Sequence, residues 1–437
     1  MRLHTNVFLF LTLAIPCIEL QAIKWSDAEV ASGLLQTSIG SVIVVDLGTE
    51  EVLYSKNSQK KVHPASTMKI ATLLLAEQKL RDRLEEQVTI TKEMIASISP
   101  SKKKEKNYDV SPHLIEMGSS HAGLKLGEQM SIRDLFAAAM IVSANDACNA
   151  LAVTASGTLD KFVSELNTFV KSQGCKNTHF VNAHGLFHPK HVTTPRDLAI
   201  LAIATRKNPF LLSLAEKKVF SRPKTNIQPP VVYAASNTLL RSNSPDYYSK
   251  AYGLKTGFTT ASGSHILALA KNHQRDLLVV AMHCGKNSRA KTRSIFDFFF
   301  SETRQKKCLI KSKLPLFKHK NPNFSSVIRA HILEDLYSHF YSSQDKELQV
   351  RVYWEDLNPP VVKGGYVGYL KLLDQEGTVH SKVNLYAHST ISPSHTFRVR
   401  QLMHKIATQY HSIYAWLASG ILPIITLGYL RLSKGSR

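Results

Sequence analysis

A serine and a lysine three residues apart begin a predicted buried helix. Ser66 and Lys69 lie in HPASTMKIATLLL, where apolar residues recur at helical spacing. Residues i and i+3 share one face of a helix, so the lysine amine can reach the serine hydroxyl. A desolvated lysine has a lowered pKa and can take the proton of an attacking hydroxyl. The pair indicates a nucleophile and its base, although the same spacing alone also fits a surface lysine.

Two further motifs could complete such a site. Ser143 and Asn145 stand in IVSANDACNA, where an apolar helix runs into polar residues. They could cap two helices, or they could aim a hydroxyl and an amide into a cleft. Lys255, Thr256 and Gly257 stand in the predicted strand of YGLKTGFTTASG, with a charge, a hydroxyl and room for a substrate backbone. The third motif alone also fits a strand-edge lysine before a turn.

The order of these three motifs resembles that of class A β-lactamases and penicillin-binding proteins. Over residues 25 to 300 the chain resembles the low-molecular-mass penicillin-binding proteins, the serine-type D-alanyl-D-alanine carboxypeptidases. The likeness extends to LKLGEQMSIRDLFAAAMIVSANDACNALA and KNTHFVNAHGL, and more loosely to VVKGGYVGYL. It implies an α/β (α+β) fold of the β-lactamase/transpeptidase-like type, an antiparallel sheet flanked by helices, with a small C-terminal β domain.

The resemblance also assigns roles to residues. It implies that Ser66 attacks the carbonyl between the last two D-alanines of a peptidoglycan stem peptide and that Lys69 takes its proton. Ser143 relays a proton to the leaving D-alanine, and water then hydrolyses the acyl-enzyme. Penicillins are expected to acylate the same serine. The resemblance further implies an oxyanion hole made by the backbone N–H groups of Ser66 and Phe258. The residues that it implies in substrate binding are Asn145, Lys255, Thr256, Gly257, Phe258 and Arg289.

Other functions remain open on these motifs. A D,D-endopeptidase acting on peptidoglycan cross-links would use the same residues, and a β-lactam-binding receptor would be acylated and stay so. A class A β-lactamase deacylates with a Glu-x-x-Leu-Asn loop, but in VSELN the required position is Val163. Glu165 falls on the surface of a predicted amphipathic helix. The histidines show no HExxH or paired-ligand spacing, so no metal or cofactor is expected.

The net charge of the chain and its two terminal segments indicate where the protein is located. A formal net charge of +22 suits a protein beside an anionic surface. A basic start, the apolar VFLFLTLAI and a small residue at position 22 predict a signal peptide, and export excludes nucleic acid as a partner. Residues 412–430 carry no charge and precede the basic RLSKGSR, which predicts a membrane span or an interfacial helix. We expect a C-terminally anchored protein on the periplasmic face of the bacterial inner membrane.

The rest of the chain supplies the elements that hold these residues. GSVIVVDLGTEEVLYS and SHILALAKNHQRDLLVVAMHC each predict two strands around a turn, and the lysine-rich residues 99–120 predict a solvated insertion. The cysteines after the signal lack metal-site spacing and are expected to be buried or free thiols. The expected limits are 1–22 for the signal peptide, 23–305 for the catalytic domain, 306–398 for the β domain and 399–437 for the anchor.

Overall fold

The computed structural model describes residues 39–341, 348–373 and 379–410. The predicted signal peptide and the uncharged segment 412–430 lie outside the described residues. Those that are described form two compact units, which divide between Thr303 and Arg304. Each unit has its own hydrophobic core.

The first unit contains a mixture of short strands and helices. Its strands are β1 (Ser41–Asp46), β2 (Glu51–Lys56), β3 (Gln87–Thr89), β4 (Ser97–Ile98), β5 (Ile115–Glu116), β6 (Gln129–Ser131), β7 (Val219–Arg222), β8 (Val231–Ala234), β9 (Ala251–Thr259), β10 (Gly263–Lys271) and β11 (Asp276–Met282). Its helices are α1 (Lys69–Leu80), α2 (Lys92–Ile95), α3 (Pro100–Glu105), α4 (Ile132–Ala137), α5 (Asn145–Ser156), α6 (Leu159–Ser172), α7 (Pro195–Lys207), α8 (Pro209–Ala215) and α9 (Ser288–Ser301).

An antiparallel sheet of order β2-β1-β11-β10-β9 forms the centre of this unit. The strand pairs β1–β2 and β10–β11 confirm the two pairs predicted from the sequence. Side chains alternate between the faces of a strand. Accordingly Ile43 and Val45 belong to the core that contains α1 and α5, whereas Val42 and Val44 pack with α9 on the other face. Helices on both faces explain why every residue of β1 is buried.

The predicted helix that contains the first motif is present, with a different start. Residues Ala65–Met68 form a 3-10 turn, and α1 begins at Lys69. Most of α1 is buried, consistent with its apolar residues on all sides. Ser66 therefore lies in the turn that leads into a buried helix.

The segment 99–120 is largely exposed, as predicted for a solvated insertion, but one of its lysines is buried. It contains α3, whose N-terminus is capped by the hydroxyl of Ser99. Within α3, Lys103 is buried and its Nζ donates to Oε1 of Glu116 at 2.8 Å and to the backbone oxygen of Phe187 at 2.9 Å. Within the lysine run the prediction was wrong only for Lys103, which pairs with a carboxylate 13 residues away, while its neighbours Lys102 and Lys104 are exposed.

The four cysteines of the described residues confirm the expectation of buried or free thiols. All are free; Cys148, Cys175 and Cys284 are buried and Cys308 is exposed. Burial raises the pKa of the Cys148 thiol to about 11, so it stays protonated at neutral pH.

The second unit is mainly β-structure. Its strands are β12 (Gln305–Ile310), β13 (Phe317–His319), β14 (Ile328–His331), β15 (Leu336–Phe340), β16 (Gln349–Trp354), β17 (Tyr366–Leu373) and β18 (Val379–Ala387). β12 pairs with β15, and the main sheet has the order β13-β14-β18-β17-β16. Residues 395–410 form a further helix, α10.

In residues 39–341, 348–373 and 379–410, no single helix is long and apolar enough to cross a bilayer. The bent pair α7 and α8 reaches that length and composition only when the two helices are taken together.

Candidate active site

The turn that carries Ser66 has an unusual backbone conformation at Ala65, which packs closely against Gly185. Ala65 has a φ of 50°, in the left-handed region that residues with a Cβ rarely adopt. Gly185 packs directly against it, since a Cβ there would lie 2.1 Å from the backbone oxygen of Ala65. Only glycine at position 185 allows this approach. The Ser66 side chain, at the start of α1, is partly exposed.

Lys69 is fully buried, and all three protons of its ammonium are used. Its Nζ donates to Oγ of Ser66 at 2.7 Å, to Oδ1 of Asn145 at 2.7 Å and to the backbone oxygen of His184 at 2.6 Å. Burial lowers the pKa of Lys69 to about 8. The amine therefore has an appreciable neutral fraction near neutral pH and lies within proton-transfer distance of the serine.

Ser143 and Lys255 form a second pair. A π-helical turn, Ala138–Val142, ends α4, and Ser143 follows with a φ of 69°. Nζ of Lys255 donates to Oγ of Ser143 at 2.8 Å. Burial, with the positive charge of Lys69, holds the pKa of Lys255 well below its usual range. The two buried lysines thus lie within electrostatic reach of each other, and each is bonded to a serine.

Asn145 connects the first pair to a loop. Its Nδ2 donates to Oγ of Ser119 at 2.9 Å, which orients the amide so that Oδ1 faces Lys69. The backbone N–H of Asn145 donates to the oxygen of Ser120. The buried carboxylate of Asp146 accepts backbone N–H groups of the same loop, from residues 122 and 124. This loop is a support for Asn145 that the motif analysis did not identify.

Strand β9 runs beside the Ser66 turn. A Cβ on Gly257 would lie 3.0 Å from the backbone nitrogens of Ser66 and Thr67, so glycine permits the close contact. Thr256 is largely buried, whereas the side chain of Phe258 is 68% exposed. The oxyanion-hole role that the resemblance implies for Phe258 needs only its backbone N–H, and it stays a prediction.

Arg289 lies at the start of α9 and, within the described part of the chain, is not hydrogen-bonded to Ser66 or Lys69. Its Nη1 donates to Oγ of Ser288 at 3.0 Å, and Ser264 donates to the same hydroxyl. Ser264 lies on β10 directly opposite Phe258 of β9. These hydrogen bonds therefore connect Arg289 to the strand that pairs with the third motif. Nε of Arg289 is buried without a protein partner in the described residues. The geometry leaves a carboxylate-binding role for Arg289 as a prediction.

The structure thus brings Ser66, Lys69 and Asn145 into one hydrogen-bonded group and Ser143 and Lys255 into another. Motif analysis missed the His184 carbonyl and the Ser119 hydroxyl. The first is a backbone atom with no sequence signal, and the second could have been found only through the GSS loop that precedes the second motif.

Glu165 lies away from this group, as the sequence predicts. It belongs to α6, where its carboxylate accepts hydrogen bonds from Nζ of Lys79 at 2.6 Å and Oγ of Ser156 at 2.5 Å. These contacts lower the pKa of Glu165, so it is an ionised partner of α1 and α5. Its surface role on a helix is confirmed.

Comparison with known proteins gives a consistent set of matches. The profile of a family described as D-alanyl-D-alanine carboxypeptidase matches residues 28–285, more than half of the chain. The chain is 28% identical to D-alanyl-D-alanine carboxypeptidase DacF of Bacillus subtilis, covering 78% of this chain and 82% of that protein. It is 32% identical to D-alanyl-D-alanine carboxypeptidase DacC of Escherichia coli, where it spans only 55% of either protein.

A solved structure shows the same fold. Penicillin binding protein 5 from Haemophilus influenzae aligns with a TM-score of 0.55 and 22% identity, over 82% of this chain and 98% of that one. The predicted combination of a transpeptidase-like domain and a C-terminal β domain is confirmed.

Proposed function

The chain belongs to the D-alanyl-D-alanine carboxypeptidase family of serine-type peptidases, and from this premise we propose that it removes the terminal D-alanine of peptidoglycan stem peptides through an acyl-enzyme at Ser66. The observation that carries the proposal is the 2.7 Å distance between Nζ of Lys69 and Oγ of Ser66, in a buried setting that lowers the lysine pKa to about 8. A serine hydroxyl is a weak nucleophile until such a base takes its proton.

Acylation would proceed with the neutral form of Lys69. Oγ of Ser66 attacks the carbonyl carbon of the penultimate D-alanine as its proton passes to the lysine amine. The negative charge that develops on the carbonyl oxygen is met by backbone N–H groups of Ser66 and Phe258. Asn145 and Thr256 hold the substrate amide and carboxylate, and Arg289 is the further candidate for the carboxylate.

Departure of D-alanine requires a proton on its amine. Ser143 is the proposed donor, because its hydroxyl is bonded to Lys255 and lies in the same buried region. Lys255 replaces the proton of Ser143 or holds it in place by its charge. The C–N bond of the substrate then breaks, and the acyl group remains as an ester on Ser66.

Hydrolysis of the ester completes the cycle with water as the nucleophile. In the described part of the chain, no carboxylate is hydrogen-bonded to Ser66 or Lys69, and Glu165 is engaged elsewhere. A carboxylate base of the class A β-lactamase type is thus lacking among those contacts. This supports slow release of a penicilloyl group and the penicillin-binding function over the β-lactamase one.

The first test follows the intact mass of the protein after addition of a penicillin. We expect an adduct of one penicillin that clears slowly, no adduct with Ser66→Ala, and release of D-alanine from a peptide ending in D-Ala-D-Ala. Clearance within seconds would instead support a β-lactamase, and an adduct with no D-alanine release a receptor. Cleavage of cross-linked stem peptides in preference to pentapeptides would support the D,D-endopeptidase.

We also propose that the enzyme is exported and held at the membrane by its C-terminal segment. The predicted signal peptide and the uncharged residues 412–430 motivate this proposal. Helix α10, which precedes that segment, is exposed and places apolar side chains at helical spacing: Val399, Leu402, Met403, Ile406 and Tyr410. Basic residues between them, Arg400 and Lys405, suit an anionic lipid surface.

A further inference from the structure

The main sheet of the second unit has one face in the core and one face outward. Residues of the core face include Ile328, Ala330, Leu370, Leu372, Leu385 and Ala387. Side chains alternate along a strand, so the residues between them point away from the core. We call this second side the outer face; on its three adjacent strands β16, β17 and β18 it carries Arg351, Tyr353, Tyr366, Tyr369, Lys371, Lys382, Asn384 and Tyr386.

Cations lie directly opposite one another on the outer face. Arg351 is the register partner of Lys371, which is the partner of Lys382, so three positive side chains form one row across three strands. Lys318 and Arg329 form a similar pair on β13 and β14. Like charges in opposed positions destabilise a sheet. Among the residues that the structure describes, none of these five has a carboxylate within ion-pair distance.

Tyrosines form the rows beside these cations. Tyr353 and Tyr369 are register partners whose rings stack at 4.9 Å and 15°. Lys382 lies over the ring of Tyr369 at 4.1 Å and Lys371 over that of Tyr353 at 5.2 Å. The lysines are therefore held beside aromatic rings by cation–π contacts without losing their charge.

A bulge extends the tyrosine surface. The register shifts between Tyr366 and Gly368, so that Tyr366 pairs with Tyr386 and both face outward like Tyr369. A Cβ on Gly368 would lie 2.2 Å from the backbone oxygen of Tyr353, and its φ of 150° also favours glycine. The outer face thus carries four tyrosines next to the row of cations: Tyr353, Tyr369, Tyr366 and Tyr386. Tyr366 is 44% exposed.

From this arrangement we propose that the outer face binds an anionic glycan, namely cell-wall glycan strands through their sugar rings and carboxylates. The row of cations, which has no carboxylate partner among the described residues, matches a polymer with regularly spaced carboxylates. The tyrosine rings and the Asn384 amide match sugars, which have apolar C–H faces and hydroxyl rims, and the hydroxyl of Tyr366 donates to Glu355 at the edge of this surface. Four strand spacings of about 4.8 Å make the sheet roughly 19 Å wide, enough for several sugar rings.

A lipid surface fits the outer face less well. Its aliphatic side chains on β16, β17 and β18 are confined to the end row beside Gln349, where Leu373 is buried and Val379 is half exposed. Insertion into hydrocarbon would therefore bury little apolar area. The choice of cell-wall glycan over other anionic sugars rests on the proposed function. The contact itself does not involve Ser66, so the two proposals can fail separately.

The test measures binding of the full chain, in mild detergent, to glycan strands freed of stem peptides by an amidase. Such strands keep their lactyl carboxylates but lack the D-alanines that the active site would bind. The variant Arg351→Gln/Lys371→Gln/Lys382→Gln removes the cation row, and Lys102→Gln/Lys104→Gln/Lys106→Gln removes the same charge from the exposed side of α3 and its C-terminal end. Melting curves and penicillin labelling of Ser66 are recorded for each.

We expect the outer-face variant to bind glycan about tenfold more weakly, with stability and penicillin labelling unchanged, and the control variant to bind as the parent does. Binding by the parent should weaken as salt increases. Equal binding by both variants would overturn the proposal, as would an equal loss in both, which would reflect net charge only. A loss confined to vesicles of anionic phospholipid would assign the face to the membrane. If the triple variant unfolds, Lys382→Glu serves instead.

Discussion

At the scale of single residues, the proposed acylation chemistry depends on two lysines that are buried, Lys69 and Lys255. Lys69 is buried against Ser66, Asn145 and a backbone oxygen, and Lys255 is buried against Ser143. Burial disfavours the ammonium form of both. A base is thereby available close to neutral pH, and a second buried lysine is bonded to Ser143, the residue that we propose as proton donor to the leaving group.

The pKa of Lys69 predicts a pH dependence. Only the neutral amine can accept the Ser66 proton, so the rate of acylation by a penicillin should rise with pH through about 8. Asn145→Asp places a carboxylate beside the lysine, stabilises the ammonium and should move this rising limb to higher pH by about one unit or more. Stopped-flow acylation rates across pH measure it.

The matched control for this shift is Asn107→Asp, which adds the same charge at an exposed position. Its pH profile should coincide with that of the parent. An unchanged midpoint in a folded Asn145→Asp variant would show that a group other than Lys69 controls the rate.

Ser119 is a positioning residue for Asn145. Ser119→Ala removes the acceptor that orients the amide, and we expect acylation to slow about tenfold while the melting temperature changes little. Ser119→Thr retains a hydroxyl and should restore the rate. The exposed neighbour Ser120, which contributes its backbone oxygen, supplies the control Ser120→Ala. A similar loss in both alanine variants would point to a general effect on the loop.

At the scale of elements, the site is made by the ends of helices and one strand edge. The turn Ala65–Met68 presents Ser66, the junction between α4 and α5 presents Ser143 and Asn145, and β9 presents the third motif. The conformation of each piece depends on a neighbour that is distant in sequence. The clearest case is the contact between Gly185 and the oxygen of Ala65.

Gly185→Ala should therefore displace the nucleophile. Gly174 has the same φ of 90° but has open space around it, so Gly174→Ala measures the backbone strain alone, roughly 1–2 kcal/mol. We expect Gly185→Ala to lower stability further and to slow penicillin acylation, whereas Gly174→Ala should acylate normally. Denaturant unfolding and labelling rates give both values, and equal behaviour of the two variants would contradict the proposed role of the contact.

At the scale of the whole molecule, the basic charge and the chain ends concern location. Three versions test the anchor: residues 23–437, 23–410, which keeps α10, and 23–394, which lacks it. We expect membranes to retain 23–437 even in high salt. We expect 23–410 to bind at physiological salt and to be released when salt is raised, and 23–394 not to bind at physiological salt. Retention of 23–394 equal to that of 23–437 would contradict the C-terminal anchor. Membrane pelleting followed by penicillin labelling measures all three.

The sequence by itself indicated the chemistry and determined the main elements that carry it. Ser66 and Lys69 share a helical turn, so their proximity is local, and the strand pairs β1–β2 and β10–β11 follow from alternation and short turns. Motif order then indicated the family, because three weak patterns in one order are far more specific than each alone.

Only the tertiary structure decided what surrounds these residues. The His184 carbonyl, the Ser119 hydroxyl and the burial of Lys103 depend on contacts between segments far apart in the chain, for which single residues carry no signal. The row of cations on the outer face likewise appears only once strand register is known, since Arg351, Lys371 and Lys382 are scattered in the sequence. Local spacing encodes which groups can react, whereas packing sets their pKa values, their orientation and the surfaces left for partners.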